Sequence, residues 1–347
     1  MLFAAALLPI VIYIFVVYQI DNFSLISVNR LLQLIACGMV AALVCFGIFK
    51  LTGEFLSEEQ SDYLNPVIEE IVKGIPLLTL ATRKKIVFYI DSVICGAAVG
   101  AGFSLLENVF YLLLGDGMGF GTVLFRGLEV ALIHIGCSAI VAVSFMLCVR
   151  LIIRSHSKSG VKTSDIIMAL SLMVIAPALH VCHNAFHFNP LMQFIFVFGS
   201  MGGLIVWTYS YDVDMIHSWI DNGLDKQLGL LDSIKNGHLN DTPTGIFLES
   251  VKEAFPAEVF FDIICYVQLH IELSVAAKCR VMIRETGLEK ELPLTNEKKE
   301  IINSQYIEYK VLEKRLGSAA RMTIAPIIKT HPADYKALED LKNECKS

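Results

Sequence analysis

The sequence predicts an all-α protein: a polytopic membrane helix bundle of about seven spans, followed by a soluble helical C-terminal domain. Three observations carry this. Hydrophobic residues are 55% of the chain and charged residues 18%, where a soluble globular protein carries roughly 45–50% and about 25%. The mean hydropathy is +0.60, and nearly all the long apolar runs fall before residue 212. Those runs are long enough to cross hydrocarbon, which takes roughly 20 apolar residues per helix. The chain therefore divides into a membrane-embedded part, 1–211, and a helical domain, 212–347.

Candidate spans are 2–20, 31–51, 66–82, 87–114, 122–153, 165–187 and 190–211. Residues 1–20 lack a basic leading segment and form an apolar run as long as a span, so they read as the first membrane helix and not as a cleaved leader. Cationic loops mark the cytoplasmic side: Arg83, Lys84 and Lys85 form one, and Arg150, Arg154, Lys158 and Lys162 another. The loop 52–65 carries Glu54, Glu58, Glu59 and Asp62 with no Lys or Arg, and 115–121 carries only Asp116. Seven spans then alternate correctly with the N-terminus outside and the C-terminus cytoplasmic. Lys50, at the outer end of the second span, is the discordant residue.

Beyond residue 212 the chain is charged and punctuated. A helix over 256–286 is expected, with Pro256 at its first position and Gly287 at its stop. A second helix covers 296–316 and ends at Gly317, and Pro326 and Pro332 interrupt the remaining C-terminal segment. Asp262, His270 and Glu272 mark the first of these as a buried soluble helix, not an eighth span. The domain holds no catalytic constellation, which suggests a regulatory or docking role. The formal net charge of −6, with no basic stripe, argues against nucleic acid as a partner. The nine cysteines include no Cys-x-x-Cys pair, so there is no disulfide framework to read.

An ionisable side chain at the centre of a span costs about 2.5–3.5 kcal/mol on insertion scales, so such residues are functional candidates. In the third span Lys73 lies i,i+4 from Glu69 and i,i+3 from Glu70, within reach of either; a surface ion pair is the plainer alternative. Asn65 as N-cap and Pro66 in the first turn start this helix, and Pro76 kinks it. In the fourth span Phe103 and Glu107 precede Asn108, and Glu107 lies among Leu105, Leu106, Val109 and Phe110 with no cation near in sequence. Gly96 and Gly100, four apart, predict close packing against a neighbouring helix. The fifth span contributes His134, with Arg126 and Glu129 one to two turns above. In the sixth, His180 and Asn184 share one face. His183 and His187 share another at metal-ligand spacing, but nearer the helix end, which reads as an interface role. At ~1.5 Å per residue, Glu69 lies roughly 5 Å, and Glu107, His134 and His180 roughly 10 Å, below the outer ends of their helices. Four helices of alternating direction thus place polar groups in one outer-leaflet layer.

Carboxylates and imidazoles in a low-dielectric cavity can activate a water, one group taking its proton while others stabilise the oxyanion. Hydrolysis of a peptide bond fits. No Ser or Cys is placed as a nucleophile, and the His-Glu-x-x-His helix of common zinc proteases is absent. Glu69-Glu70-x-x-Lys73, Phe103-x-x-x-Glu107, His134 and His180-x-x-x-Asn184, in this order on successive spans, resemble the PrsW intramembrane proteases. These are similar in turn to the CAAX-processing and bacteriocin-processing membrane proteases. The likeness covers roughly residues 60–190. It implies catalysis by Glu69, Glu70, Glu107, His134 and His180, with Asn184 as oxyanion donor and Lys73, Phe103 and Arg126 in support. It also implies site-1 cleavage of a membrane-anchored anti-sigma factor in a bacterial cell membrane. In the CAAX relatives the second motif ends in His, where this chain has Glu107, which leaves open which group is the base. No ligand set is convincing from sequence, which favours a glutamate-activated water without a cofactor. If the site is metal-dependent, zinc on Glu107, His134 and His180 is the expected set.

Two other function classes fit parts of the pattern. A proton- or cation-coupled transporter would use intramembrane Glu and His as its path, but the inner halves of the spans show no matching polar residues. A non-catalytic receptor or scaffold would use the C-terminal domain as its output. Topology is the first testable consequence: cysteine-accessibility labelling should find residues 52–65 outside and the C-terminus inside. A C-terminus on the outer side overturns the assignment.

Overall fold

The computed structural model describes residues 1–19, 26–53, 55–83, 86, 88–114, 119–155, 162–185, 190–288, 291–325, 327–328 and 332–346. Glu54, Lys84, Lys85, Asp116, Lys158, His187 and Pro326 lie outside that set. The elements are α1 (Leu2–Gln19), α2 (Val28–Thr52), α3 (Glu58–Thr82), α4 (Tyr89–Leu114), α5 (Phe120–Ser155), α6 (Thr163–Ala185), α7 (Pro190–Lys235), a 3₁₀ turn at Leu239–Asp241, α8 (Pro243–Lys252), α9 (Ala257–Glu285), α10 (Asn296–Arg315), α11 (Gly317–Ile324) and α12 (Pro332–Lys346). No strand occurs among the described residues. The chain forms two compact units, Met1–Asp212 and Val213–Ser347, with the division falling inside α7.

In the first unit α4 is the central element, buried continuously from Tyr89 to Ser104. Glycines let its neighbours reach its backbone. A Cβ on Gly100 would sit 2.2 Å from the His134 carbonyl oxygen on α5, and one on Gly102 would sit 2.0 Å from the Ile35 carbonyl oxygen on α2. The Gly96/Gly100 pair expected from sequence therefore does face a helix, and that helix is the one that carries His134. At the start of α4 the Asp212 carboxylate accepts the Ile90 N–H at 2.6 Å, which satisfies one of the donors a helix N-terminus leaves open.

Three boundaries differ from the sequence expectation. The helix expected to begin at Asn65–Pro66 begins at Glu58. Ser57 and Gln60 form a reciprocal capping box there, which supplies a stronger start than Asn65 can. Pro66 and Pro76 are both inside it. The depth of Glu69 along α3 is accordingly about 16 Å from the helix start, not about 5 Å. α7 does not stop near 211 but continues to Lys235. Pro256 is the N-cap of α9, not its first helical residue, and Pro332 opens α12.

Six helices among the described residues are long and apolar enough to cross a membrane: α1, α2, α4, α5, α6 and α9. α3 carries Glu69, Glu70 and Lys73 in its apolar half and joins the bundle through them. α9 passes the test of composition, yet its polar groups are paired inside the second unit. Arg280 and Arg284 hold Glu344 on α12, Asp262 holds Arg315 at 3.0 Å, Glu272 accepts from Gln305 at 2.8 Å, and the Tyr266 and Tyr309 hydroxyls meet at 2.9 Å. The Gly100 contact gives a test. Gly100→Leu should lower the thermal unfolding midpoint in detergent, since overpacking a tight contact typically costs ~1–3 kcal/mol. Gly202→Ala, where a Cβ meets nothing within 4 Å, should leave the midpoint unchanged.

Candidate active site

The site residues come from four helices of the first unit, α3, α4, α5 and α6. Lys73, on α3, is buried with three partners. Its Nζ donates to Glu70 Oε1 at 2.6 Å, lies 3.1 Å from His134 Nδ1 on α5, and sits 4.7 Å above the Phe103 ring centroid on α4. The Phe103 ring also packs on His134, with centroids 4.9 Å apart. An ammonium can only donate, so His134 Nδ1 carries the lone pair and Nε2 the proton. That Nε2–H donates to Glu107 Oε2 at 2.6 Å. The other oxygen of Glu107 accepts from Arg126 at 3.1 Å, and the Arg126 guanidinium lies 3.4 Å from the Tyr111 ring centroid.

His180, on α6, repeats the pattern with the nitrogens reversed. Its Nδ1 meets Glu70 Oε1 at 2.8 Å; a carboxylate only accepts, so Nδ1 donates and Nε2 keeps the lone pair. His180 Nε2 stands 3.6 Å and His134 Nδ1 3.9 Å from Glu69 Oε2. The two rings meet edge to face, 4.8 Å between centroids. Glu69 Oε2 is buried without a hydrogen-bond partner, as is Glu70 Oε2.

These facts test whether a metal would fit. Glu69, His134 and His180 offer one ligand atom each, all within 4.8 Å of one another. Both imidazole lone pairs face the same unpartnered carboxylate oxygen, and each opposite N–H is held by a further carboxylate, the arrangement that orients metal-bound histidines. With Glu69, Glu70 and Glu107 ionised, the cluster has one more carboxylate than the cations Lys73 and Arg126 offset. The donor set fits a divalent cation with N and O ligands. It differs from the sequence expectation in one member: Glu69 takes the place of Glu107, whose carboxylate is engaged by His134 and Arg126. A metal would take over the His134 lone pair that Lys73 now engages, leaving Lys73 to Glu70.

A cavity of about 430 Å³ opens onto this cluster. Glu69, Glu107 and Asn184 line it, with Cys45, Phe46 and Phe110 among its apolar walls. Glu70, His134 and His180 lie behind that wall. Asn184 is exposed, and its Oδ1 lies 3.1 Å from His183 Nδ1, one turn above His180 and in the cavity. His183 also approaches Glu129, 3.6 Å away, the interface role expected of it.

Sequence reasoning missed the second polar layer. Asp91, Ser92 and Asp212 are buried at the other end of α4, contrary to the expectation of wholly apolar inner halves. Asp91 accepts the Phe88 N–H at 3.1 Å, so the layer caps a helix. It stands about 24 Å along α4 from Glu107, with the tightly packed Gly96–Phe103 stretch between. Asp212 was legible as the first acid after the seventh apolar run.

A family model described as PrsW family intramembrane metalloprotease matches residues 27–210. No curated protein and no solved structure matches the chain. The Glu70–Lys73 pair supplies the test of the geometry. Lys73→Met leaves Glu70 buried beside His180 alone and should cost ~3–5 kcal/mol of stability, as loss of one partner of a buried pair does. The double variant Glu70→Gln/Lys73→Met should recover most of it in the same thermal unfolding measurement.

Proposed function

The chain belongs to the PrsW family of intramembrane proteases, and on that premise we propose an endopeptidase that cuts a membrane-anchored protein near the outer leaflet. The observation that carries the reading is the cavity wall shared by Glu69 and Glu107, backed by His134, His180, Glu70 and Lys73. A transporter or a scaffold has no use for such a set beside a closed helix core.

The roles follow from the partners. Glu70 and Lys73 hold His180 and His134 in fixed tautomers and positions. Glu69, His134 and His180 would hold the metal, which when bound supplies Lewis-acid activation of water. The sequence reading without a metal rested on the lack of a ligand set, and these three residues could supply one. Glu107, on the cavity wall, takes the proton of the attacking water, and the oxygen adds to the scissile carbonyl carbon. Asn184, and Arg126 through its charge, stabilise the oxyanion. Glu107 then returns the proton to the leaving amine as the C–N bond breaks. The aromatic wall of Phe46, Phe103 and Phe110 limits water to the polar end of the cavity.

The substrate in this proposal is a membrane-anchored anti-sigma factor in a bacterial membrane. The N-terminus lies outside and the domain 212–347 is cytoplasmic, regulatory or docking. α9 belongs to that domain, because its polar groups are paired within it. Two variants separate base from ligand. Glu107→Gln should lower cleavage ~10²–10⁴-fold, the usual cost of losing a general base, while bound metal stays near one per chain by elemental analysis. Glu69→Gln and His180→Ala should lose both. Chelation should abolish cleavage and zinc restore it. Full activity in Glu107→Gln, or activity indifferent to chelation, overturns the assignment. Co-expression with a membrane-anchored anti-sigma factor should yield a shortened fragment that Glu107→Gln does not produce; its absence removes that substrate.

A further inference from the structure

The second unit contains a cleft of about 790 Å³, inside the 300–1,000 Å³ range of small-molecule sites. One wall is a stripe of α7, with Trp219, Gly223, Gln227 and Leu230 at helical spacing. The facing stripe of α9 carries Val267, His270, Ile271 and Lys278, and Ile327, Ile328 and Asp334 contribute from the C-terminal segment. Glycines make room on α7. A Cβ on Gly223 would stand 2.5 Å from Lys278 Nζ, and one on Gly229 would meet nothing within 4 Å.

Lys278 is the unusual member. Its side chain is 2% exposed, yet it lines a cleft. Nζ donates to Gln227 Oε1 at 2.8 Å, lies 3.3 Å from Asp334 Oδ1, and sits 5.1 Å above the Trp219 ring centroid. Asp334 Oδ1 also accepts from Trp219 Nε1 at 3.1 Å and from the Ser274 hydroxyl at 3.2 Å. A buried ion pair is weak support for stability, since apolar residues of similar volume do as well. Here the pair is fixed by three further groups at the edge of an open space. Lys226 adds a second cation to the lining, against the single carboxylate of Asp334, which is already shared among three donors. The rest of the lining is mixed, aliphatic at Leu230, Ile271 and Ile328 and hydroxyl-bearing at Ser218, Ser233 and Thr242, with two ring systems, Trp219 and His270.

We infer that this cleft binds a small anion carried on an aromatic body, an aryl phosphate or aryl carboxylate. The anionic group meets the Lys278 end, and the ring lies against Trp219, Ile271 and Ile328. The ammonium is pre-organised, so an anion gains a charge-assisted hydrogen bond without ordering a flexible lysine.

The chain has two tryptophans, Trp207 and Trp219, so full-length protein carrying Trp207→Phe reports on the cleft alone. Phenyl phosphate should produce a saturable change in Trp219 emission in detergent. Its half-point should lie at least tenfold below those of inorganic phosphate and benzyl alcohol. Lys278→Met should raise the half-point tenfold or more. Gly229→Phe, at a position where a Cβ meets nothing within 4 Å, places a ring in the cleft and should abolish the response with an unchanged unfolding midpoint, which keeps the test decisive if Lys278→Met does not fold. The proposal is overturned by no saturable response to phenyl phosphate, by an equal response to benzyl alcohol, or by a response that survives in Gly229→Phe.

Discussion

The ammonium of Lys73 organises the membrane unit's polar centre. A buried, unpaired charge costs several kcal/mol, so an ammonium at this depth is tolerated only with its donors occupied. Glu70 at 2.6 Å, His134 Nδ1 at 3.1 Å and the face of Phe103 at 4.7 Å do this. The pairings tie α3 to α5 and α4, and they decide which nitrogen of each imidazole bears a proton. His134 points its N–H at Glu107 and its lone pair inward; His180 points its N–H at Glu70 and its lone pair toward Glu69. α4 matters because it has almost no side chains where α5 crosses it. Gly100 lets the backbone at His134 come within contact of α4, and that closeness sets how far the imidazole reaches.

Much of the fold was legible because a bilayer imposes one rule, that each span be a long apolar helix. The seven apolar runs fall on α1 to α7, of which α1, α2, α4, α5 and α6 are, among the described residues, long and apolar enough to cross a membrane, and the glycine pair on α4 faces a helix as its spacing foretold. The errors occur where that rule is silent. Asn65 and Pro66 resemble a helix start, but the Ser57–Gln60 capping box lies upstream and the helix passes through Pro66. The apolar run at 190–211 ends, but α7 continues, because nothing after it breaks a helix before Gly237, whose φ is +76°. α9 is apolar enough to pass for a span; Asp262, His270 and Glu272 mark it in the sequence as a soluble helix, and what the structure adds is their partners on α10 and those of Arg280 and Arg284 on α12. Partners far away in sequence are invisible to a composition window.

The residues of the site were also legible, since charge is rare in the spans. Their pairing was not. Lys73 and His134 are 61 residues apart, and no spacing rule relates them. The same holds for Glu69 and the two histidines. From sequence, Glu107 was a carboxylate with no cation nearby, and it stood in the ligand set expected if the site held a metal. Arg126, on the next helix, is that cation, at 3.1 Å. With Arg126 and His134 on its two oxygens, Glu107 is committed, whereas Glu69 Oε2 has no hydrogen-bond partner and faces two lone pairs. The identity of a ligand set depends on which carboxylate is left over, and that is settled by packing.

Exposure then divides work among three similar carboxylates. The Glu70 side chain is 3% exposed and held by both Lys73 and His180; the Glu107 side chain is 22% exposed and lines the cavity. A proton carrier must reach both the water and the leaving group, so it has to be on the cavity side. Glu70, which holds His180 and Lys73 and does not line the cavity, lies behind it. Glu69 touches both regions: one oxygen faces the histidines, and the residue lines the cavity. The doubled glutamate of α3 is thus not a redundant pair. Successive positions on a helix point about 100° apart, so one glutamate faces the cavity and the other the core, and α3 contributes to both layers of the site from a single turn.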